Sequence, residues 1–158
     1  MADAVFLKIG DIKGESVDSK HKDEIDVLAW SWGMSHPGTI PVGGGGAGKV
    51  SVQGISIAKF CDAATAQLIM ACCSGNHFKE AMLTVRKAGE KPLEYLRISL
   101  KDVLITSQST GSEGGERPTE NITLNFAEFK LEYKSQKADG SVGATYTAGW
   151  NIAKNTKV

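Results

Sequence analysis

The sequence lacks an excess of either charge, because 18 lysines and arginines balance 18 aspartates and glutamates among its 158 residues. A protein that binds nucleic acid usually gathers basic residues on one face, since the phosphate backbone is polyanionic. The balance of charge seen here therefore argues against a nucleic-acid partner.

Cysteine is scarce as well, with only Cys61, Cys72 and Cys73. A secreted disulfide framework needs an even number, and no CxxC spacing is present. We interpret the three residues as small apolar side chains in a reducing compartment. A chain of this length can bury a core without disulfides or metals, and we expect one domain spanning residues 1–158.

Long apolar segments are missing too. The longest uninterrupted run, residues 68–73, is far too short to cross a bilayer. The first residues, MADAVFLKIGD, lack the basic region and apolar stretch of a signal peptide. We therefore expect a cytosolic product without membrane insertion, and any export has to use a route that needs no signal peptide.

Motifs for catalysis or metal binding are equally rare. The three histidines are far apart in the sequence, and neither a GxSxG nor an HExxH motif occurs. Residues 43–49 fit the phosphate-binding pattern GxxxxGK, but Val50 stands where Ser or Thr is needed and a strand pattern follows instead of a helix. We predict no enzyme activity, no cofactor and no metal site.

Strand patterns are what the sequence has in abundance. Alternating apolar residues predict a hairpin from residues 81–87 and 93–106, and a long strand over 120–133. The face that is apolar changes within 120–133 and at Gly54, which indicates bulges or a strand shared by two packed sheets. Residues 107–119 are predicted to form a polar loop.

One helix is predicted, with Asp62 at its start and Gly75 at its end. About seven strands and one helix indicate a mainly β fold. We predict two packed antiparallel sheets that form a compact β-barrel with one flanking α-helix.

The segment after Glu24 predicts a strand with a bulky inner face, made by Leu28, Trp30 and Trp32. Its slimmer outer face would carry Ile25, Val27, Ala29 and Ser31. Residues 35–49, which we call the glycine-rich arm, form a long loop with little to pack against in their own domain. Such loops usually serve binding, so a strand wall joined to this arm predicts a subunit that assembles with copies of itself.

Several stretches run in order over nearly the whole chain: VFLKIGDIKGES, EIDVLAWSWGMS, GGGGAGKV, LTVRKAG with YLRISLKDVLITSQSTG, and LNFAEFKLEYKSQKADGS with GWNIAKN. They resemble the Hcp family, the hemolysin-coregulated tube proteins of bacterial type VI secretion systems. The resemblance implies a homohexameric ring with a wide channel, and rings that stack into a tube.

The same resemblance implies the partners and the location. A contractile sheath would expel the tube behind a spike protein, and effector proteins would be held inside the ring. The subunit would be made in the bacterial cytoplasm and secreted outside the cell or into a target cell.

Candidate site residues follow from the resemblance and the strand pattern together. Ala29 and Ser31 are predicted to line the channel and face the cargo, because their side chains lie opposite Trp30 and Trp32. The family's extended loop corresponds to the glycine-rich arm. Contacts with an adjacent subunit or ring are predicted for Pro37, Ile40, Pro41, Val42, Gly43, Gly44, Gly45, Gly46 and Gly48.

Two other readings stay open at this point. A phage-type tail-tube protein would share the architecture but not the secretion context. A carbohydrate-binding β-sandwich would use its tryptophans to stack sugars, although tryptophans that alternate with leucine on a strand are more typical of a core.

Overall fold

The computed structural model describes residues 3–38, 48–89 and 92–158. This part of the chain forms eleven strands and one helix. Their bounds are β1 Ala4–Ile9, β2 Ile25–Asp26, β3 Ala29–Ser31, β4 Met34–Ser35, β5 Ser51–Val52, β6 Ile55–Phe60, α1 Thr65–Ser74, β7 His77–Lys87, β8 Leu93–Gly111, β9 Thr119–Gln136, β10 Val142–Asn151 and β11 Thr156–Lys157.

Nine strands form one antiparallel sheet in the order β11-β10-β9-β8-β7-β1-β2, to which β6 and β3 are added through β9. The long strand β9 makes this branching possible. It pairs with β8 along one edge, while its other edge pairs with β6 in its first half and with β10 in its second half. The sheet thus folds over one core. The mainly β, antiparallel architecture with one helix is confirmed, although the hydrogen-bond ladder does not close into a complete barrel.

The segment predicted as one strand over residues 25–32 is two short strands with different partners. Val27 donates its backbone N–H to the carbonyl of Val5 in β1 at 3.0 Å. The next residue, Leu28, donates to the carbonyl of Ala58 in β6 at 2.8 Å. The chain therefore passes from one side of the folded sheet to the other within two residues.

This change of partner overturns part of the predicted face assignment. Ile25 was expected outside but is fully buried, whereas Leu28 was expected inside and is 53% exposed. The regular alternation of a strand stops where the pairing changes, so the inward face shifts by one residue. From Trp30 onward the prediction is correct, because Trp30 and Trp32 pack against the core.

The helix ends at the predicted Gly75, but it begins at Thr65 with Ala64 at the N-cap position, so Asp62 precedes it in a turn and is not its cap. Before its first turn, the Asp62 carboxylate accepts a hydrogen bond from the backbone N–H of Ala64 at 2.9 Å. After its last turn, Gly75 adopts a left-handed conformation with φ of 66°, which suits a residue without a Cβ atom. Leu68 and Ala71 are buried, so α1 covers part of the core with one face.

The two longest strands bend. In β8 the buried positions change from Ile98 and Leu100 to Val103 and Ile105, and Asp102, just before Val103, has a positive φ of 53°. In β9, Leu124 and Phe129 are both buried although they are an odd number of residues apart, which confirms the predicted change of face.

The predicted polar loop over residues 107–119 is wrong at both of its ends. Strand β8 continues to Gly111, and β9 already begins at Thr119. Ser107 and Ser109 are strand residues whose side chains are exposed, so their polarity reflects the face they occupy and not a loop.

Candidate functional site: the small-residue face

Four adjacent strands turn a surface of small, uncharged side chains outward. In β3 and β6, Ala29 lies opposite Ala58 and Ser31 lies opposite Ser56. The same two rows continue across β9 and β8, because directly paired residues of a sheet point to the same side. We call this surface the small-residue face, and its members are Ala29, Ser31, Ser56, Ala58, Ser107, Ser109, Asn121 and Thr123.

The reverse side of the same strands explains why this face points outward. Ile57 and Ile122, which alternate with members of the face, are 1% exposed, and Trp30 packs beside them on the core. None of the eight outward side chains is charged, although 23% of the residues in the sequence are charged. Within the face, the Ser107 hydroxyl donates to the Thr123 hydroxyl at 2.8 Å. The result is a surface without fixed charges.

A buried ionic network supports this wall from behind. Lys59 in β6 and Glu120 in β9 have no exposed surface and form an ion pair. The Lys59 ammonium also donates to the Asp62 carboxylate and to the carbonyl of Phe60, both at 2.9 Å. All three hydrogen atoms of the ammonium thus have acceptors, as a buried cation requires.

The same network connects the wall to α1. Glu120 accepts hydrogen bonds from the Thr65 hydroxyl at 2.7 Å and from the Gln108 amide at 2.9 Å. Burial alone would raise the pKa of Glu120, but the hydrogen bonds from Lys59, Gln108 and Thr65 outweigh it and hold this pKa below its usual value. Glu120 is therefore ionised at neutral pH and fixes two strands and the start of the helix relative to each other.

Two strand edges beside the small-residue face are uncovered. Strand β3 pairs with β6 on one side only. The end of β8 after Leu104 pairs with β9 but not with β7, because Leu104 already pairs with the first residue of β7, His77. Over residues 3–38, 48–89 and 92–158, no strand pairs with either of these two edges. Both leave backbone N–H and C=O groups available to another chain.

The structure places the two predicted channel residues, Ala29 and Ser31, on this face, both exposed and on the side opposite Trp30. Sequence reasoning missed the other six members, because their shared position depends on the pairing of four strands. A signal was present in the small polar residues that alternate with Ile57 and Ile122.

The base of the glycine-rich arm is a separate two-stranded ladder, in which Met34 pairs with Val52 and Ser35 with Ser51. Pro37 and Gly48 are exposed and adjacent, since a Cβ atom on Gly48 would lie 3.0 Å from the Pro37 ring. The other predicted contact residues lie outside the described residues: Ile40, Pro41, Val42, Gly43, Gly44, Gly45 and Gly46.

No cluster of three or more metal-ligating side chains occurs in the described part of the chain. Over the same residues, no helix is long and apolar enough to cross a bilayer.

Comparison with known proteins decides the family. The sequence profile described as "Type VI secretion system effector, Hcp" matches residues 6–133. The chain belongs to the Hcp family. A curated member, Protein hcp1 of Pseudomonas aeruginosa, is 56% identical over an alignment that covers 99% of each chain.

Solved structures of Hcp proteins have the same fold. Hcp1 from Salmonella typhimurium is 39% identical, with a TM-score of 0.83 and complete coverage of both chains. A structure described as a type six secretion system protein superposes with a TM-score of 0.92 at 28% identity, covering 99% of this chain and all of the other. The resemblance stated from the sequence is thereby confirmed, and the chain is a type VI secretion protein.

Proposed function

We propose that this protein is a tube subunit of a type VI secretion system, which forms six-subunit rings with the small-residue face turned toward a central channel. The rings stack into an exported tube that carries effector proteins. The proposal rests on two features that occur together in one copy. One is the uncharged outward face, and the other is the uncovered strand edge on each side of that face.

A closed ring requires two different surfaces on each copy, because head-to-tail contacts are made between unlike patches. The outer edge of β3 and the end of β8 are two such surfaces. If β3 of one copy pairs with the end of β8 of the next, the four-stranded wall continues around the channel. This pairing also satisfies the backbone groups that a single copy leaves uncovered.

Exposed apolar side chains away from this face also favour assembly. On α1, which contains no charged residue, Met70 is 64% and Ile69 is 38% exposed. On β9 and β10, Tyr133 is 42% and Tyr146 is 60% exposed. Large apolar patches on a subunit usually become covered by a partner, and here the two patches differ, as a head-to-tail contact needs.

The chemistry of the small-residue face suits transport. Small hydroxyl, methyl and amide groups offer weak contacts to many protein surfaces, and no fixed charge would hold a cargo by ion pairing. Ala29 and Ser31 would thus contact effectors without binding them irreversibly. This role needs no catalysis, so we propose a structural and transport protein and not an enzyme.

The glycine-rich arm would make the contacts between neighbouring subunits or rings. Pro37, Ile40, Pro41 and Val42 supply apolar contacts, while the glycines from Gly43 to Gly48 permit close backbone approach. A spike protein and a contractile sheath complete the set of partners. The subunit would be made in the cytoplasm and secreted by the type VI system.

The carbohydrate-binding alternative is not supported by the tryptophans. Trp32 donates its indole N–H to the carbonyl of Gln53 at 2.9 Å, and its ring centroid lies 4.8 Å from that of Phe129. Trp30 also packs against the core. Rings that pack in this way are more typical of a core than of a surface that stacks sugars. The family match likewise favours the secretion context over a phage tail tube.

Native mass spectrometry of the full chain over a range of protein concentrations tests the proposal. We expect a stable species of six subunits that does not dissociate into smaller oligomers on moderate dilution. A protein that stays monomeric at high concentration would overturn the proposal and favour the carbohydrate-binding β-sandwich.

A further inference from the structure

Strand β10 has an outer edge that is uncovered over most of its length. Its inner edge pairs with β9, whereas on the outer edge the short strand β11 pairs only with Trp150 and Asn151. Before Gly149, no strand in the described part of the chain pairs with this outer edge. It is therefore a third uncovered edge, separate from the two that flank the small-residue face.

Hydrogen bonds at the end of β10 fix which of its residues face outward. Ile152, which follows the strand, donates its backbone N–H to the carbonyl of Ala127 in β9 at 2.8 Å. On the opposite side, the carbonyl of Gly149 accepts a hydrogen bond from the backbone N–H of Val158 at 3.2 Å. Backbone groups of successive residues in a strand point to alternate edges. The even-numbered residues of β10 thus point their backbone groups at β9, and the odd-numbered residues point theirs outward.

Thr145 and Thr147 are the outward-pointing residues of the uncovered part. The register between β10 and β9 is regular from Thr145 to Asn151, so the alternation holds over this stretch. Both threonines are exposed. Their backbone N–H and C=O groups are therefore available to another chain.

The uncovered part of β10 lacks the features that usually keep strand edges from pairing. Residues 142–149 contain no charged residue and no proline. Natural edges are commonly protected by charges, prolines or bulges, and here the irregularity in the ladder lies before Thr145. When an edge pairs with a copy of itself, any charge near the two-fold axis meets the same charge. The uncharged edge therefore suits a second copy of itself.

One face beside this edge is apolar. Tyr146 is 60% exposed, and Tyr133, which lies directly opposite in β9, is 42% exposed. Their rings stack with the centroids 6.4 Å apart. Because directly paired residues point to the same face, pairing of two β10 edges would continue this row with the tyrosines of the second copy. That contact would cover apolar surface that a single copy leaves exposed.

We propose that the outer edge of β10 pairs antiparallel with the same edge of a second copy, with the two Tyr146 residues opposite each other. In this register Thr145 of each copy lies opposite Thr147 of the other, and their outward N–H and C=O groups bond to one another. A register shifted toward Gly149 would be blocked, because the carbonyl of that residue already accepts from Val158.

This contact differs in symmetry from those that close a ring. It is two-fold, whereas a ring is closed by head-to-tail contacts between unlike surfaces. The inference therefore does not depend on the proposed tube function. In a protein that forms rings, the contact would join copies that belong to different rings.

A single cysteine tests the contact, because a two-fold axis brings the same position of two copies together. Tyr146→Cys in the full-length protein would place two cysteines opposite each other at a position where Cα atoms are about 4.5 Å apart. A disulfide can bridge that separation. We expect mild oxidation to give a covalent dimer and no larger species on a non-reducing gel, since each copy has one partner at this edge.

Tyr133→Cys is the matched control, because it changes the same residue type on the same face one strand further in. The equivalent positions of two copies would be about 14 Å apart, which a disulfide cannot bridge. The wild type controls for the exposed Cys73. A ladder of bands above the dimer would indicate a head-to-tail contact and overturn the proposal. A folded Tyr146→Cys protein that stays unlinked, or equal linking of Tyr133→Cys, would overturn it too.

The wild-type protein provides a second test, should Tyr146→Cys not fold. Amide hydrogen exchange can be followed by mass spectrometry over a range of protein concentrations. The Tyr146 amide faces β9 and should exchange slowly at every concentration. The amides of Thr145 and Thr147 should exchange slowly at high concentration and, on the order of tenfold, faster once dilution separates the copies. Fast exchange of both amides at high concentration would overturn the proposal.

A proline variant separates pairing of the strand edges from contact between the tyrosine rings. Thr147→Pro removes an outward N–H and leaves the ladder with β9 intact. Combined with Tyr146→Cys, it should lower the yield of covalent dimer on the order of tenfold, because the backbone pairing is lost. Thr147→Val keeps the N–H and should leave the yield unchanged. Equal yields with the proline and the valine would contradict pairing through the backbone.

Discussion

Lys59 and Glu120 are fully buried charges in a core that is otherwise largely apolar. Removing two charges from water is costly, and the cost is offset only when each charge has partners. Here Asp62, Thr65 and Gln108 supply the additional hydrogen bonds. Loss of the Glu120 charge would leave the buried Lys59 with Asp62 as its single anionic partner, which costs more than the pair itself contributes.

We therefore predict that Glu120→Gln lowers the free energy of unfolding by about 3 kcal/mol, measured by urea denaturation. The matched control is Lys101→Met, because Lys101 pairs with Glu128 at 3.5 Å but its side chain is 63% exposed. That exposed pair should contribute less than about 1 kcal/mol. Equal losses of unfolding free energy in the two variants would contradict the claim that burial makes the Lys59–Glu120 pair more costly to break.

The same residue gives a prediction about acid. Because the pKa of Glu120 is lowered in the folded state, its contribution is present above the unfolded-state pKa and is lost as the pH falls through the folded-state pKa. The wild type should lose more stability on acidification than Glu120→Gln does. Parallel curves of unfolding free energy against pH would count against this assignment.

Gly54 shows a second kind of constraint at the level of one residue. A Cβ atom there would lie 2.5 Å from the Asn125 amide oxygen and 3.0 Å from the backbone carbonyl oxygen of Leu124. We predict that Gly54→Ala costs about 1–3 kcal/mol through overpacking, measured by thermal or urea unfolding. Gly114→Ala is the control, since nothing lies within 4 Å of that position. If Gly54→Ala left the free energy of unfolding unchanged, β9 would have to be able to move away from the added Cβ atom.

At the scale of elements, the bend in β8 depends on Asp102. Its positive φ of 53° is uncommon for a residue with a side chain, although aspartate tolerates it better than most. We predict that Asp102→Gly stabilises the protein slightly, by less than about 1 kcal/mol, while Asp102→Val destabilises it by about 1–3 kcal/mol. Denaturant unfolding measures both, and equal effects would mean that the bend does not need this conformation.

How far the sequence predicts these elements depends on what sets the inward face. Where a strand keeps the same neighbours, as β7 does between β1 and β8 over residues 81–85, alternation of apolar residues is sufficient. The end of the helix was predictable because Gly75 acts through local backbone geometry, whereas its start lies two to three residues after the predicted Asp62. Ile25 and Leu28 were misplaced because their faces depend on a change of partner strand, which no local pattern records.

The candidate site was predictable in part for the same reason. Ala29 and Ser31 follow from one strand with tryptophans on its other side. Recognising the remaining members required the register of β6, β8 and β9, and the polar residues of β8 that belong to the face look like a loop in the sequence.

At the scale of the whole molecule, the small-residue face should tolerate a charge without losing assembly. We predict that Ser31→Glu still forms rings, because its side chain points away from the core, but captures effector protein less well, as measured by co-purification. Ser19→Glu adds the same charge at an exposed residue between β1 and β2 and should change neither property. Loss of the ring in Ser31→Glu alone would contradict the channel assignment.

A second prediction about assembly concerns the glycine-rich arm. Deleting part of residues 43–48 should shorten tubes more than it weakens single rings, since the arm is proposed to make contacts between rings. Electron microscopy can compare tube lengths, and native mass spectrometry can compare the ring population. Tubes of unchanged length would remove the arm from the stacking contact.

The most direct measurement of the central claim is a cryo-electron microscopy reconstruction of the assembled protein. The account predicts a hollow ring of six copies in which Ala29, Ser31 and the rest of the small-residue face line the channel, with β3 of each copy beside the end of β8 of the next. A ring with this face on its outer surface, or only monomers at high concentration, would contradict it.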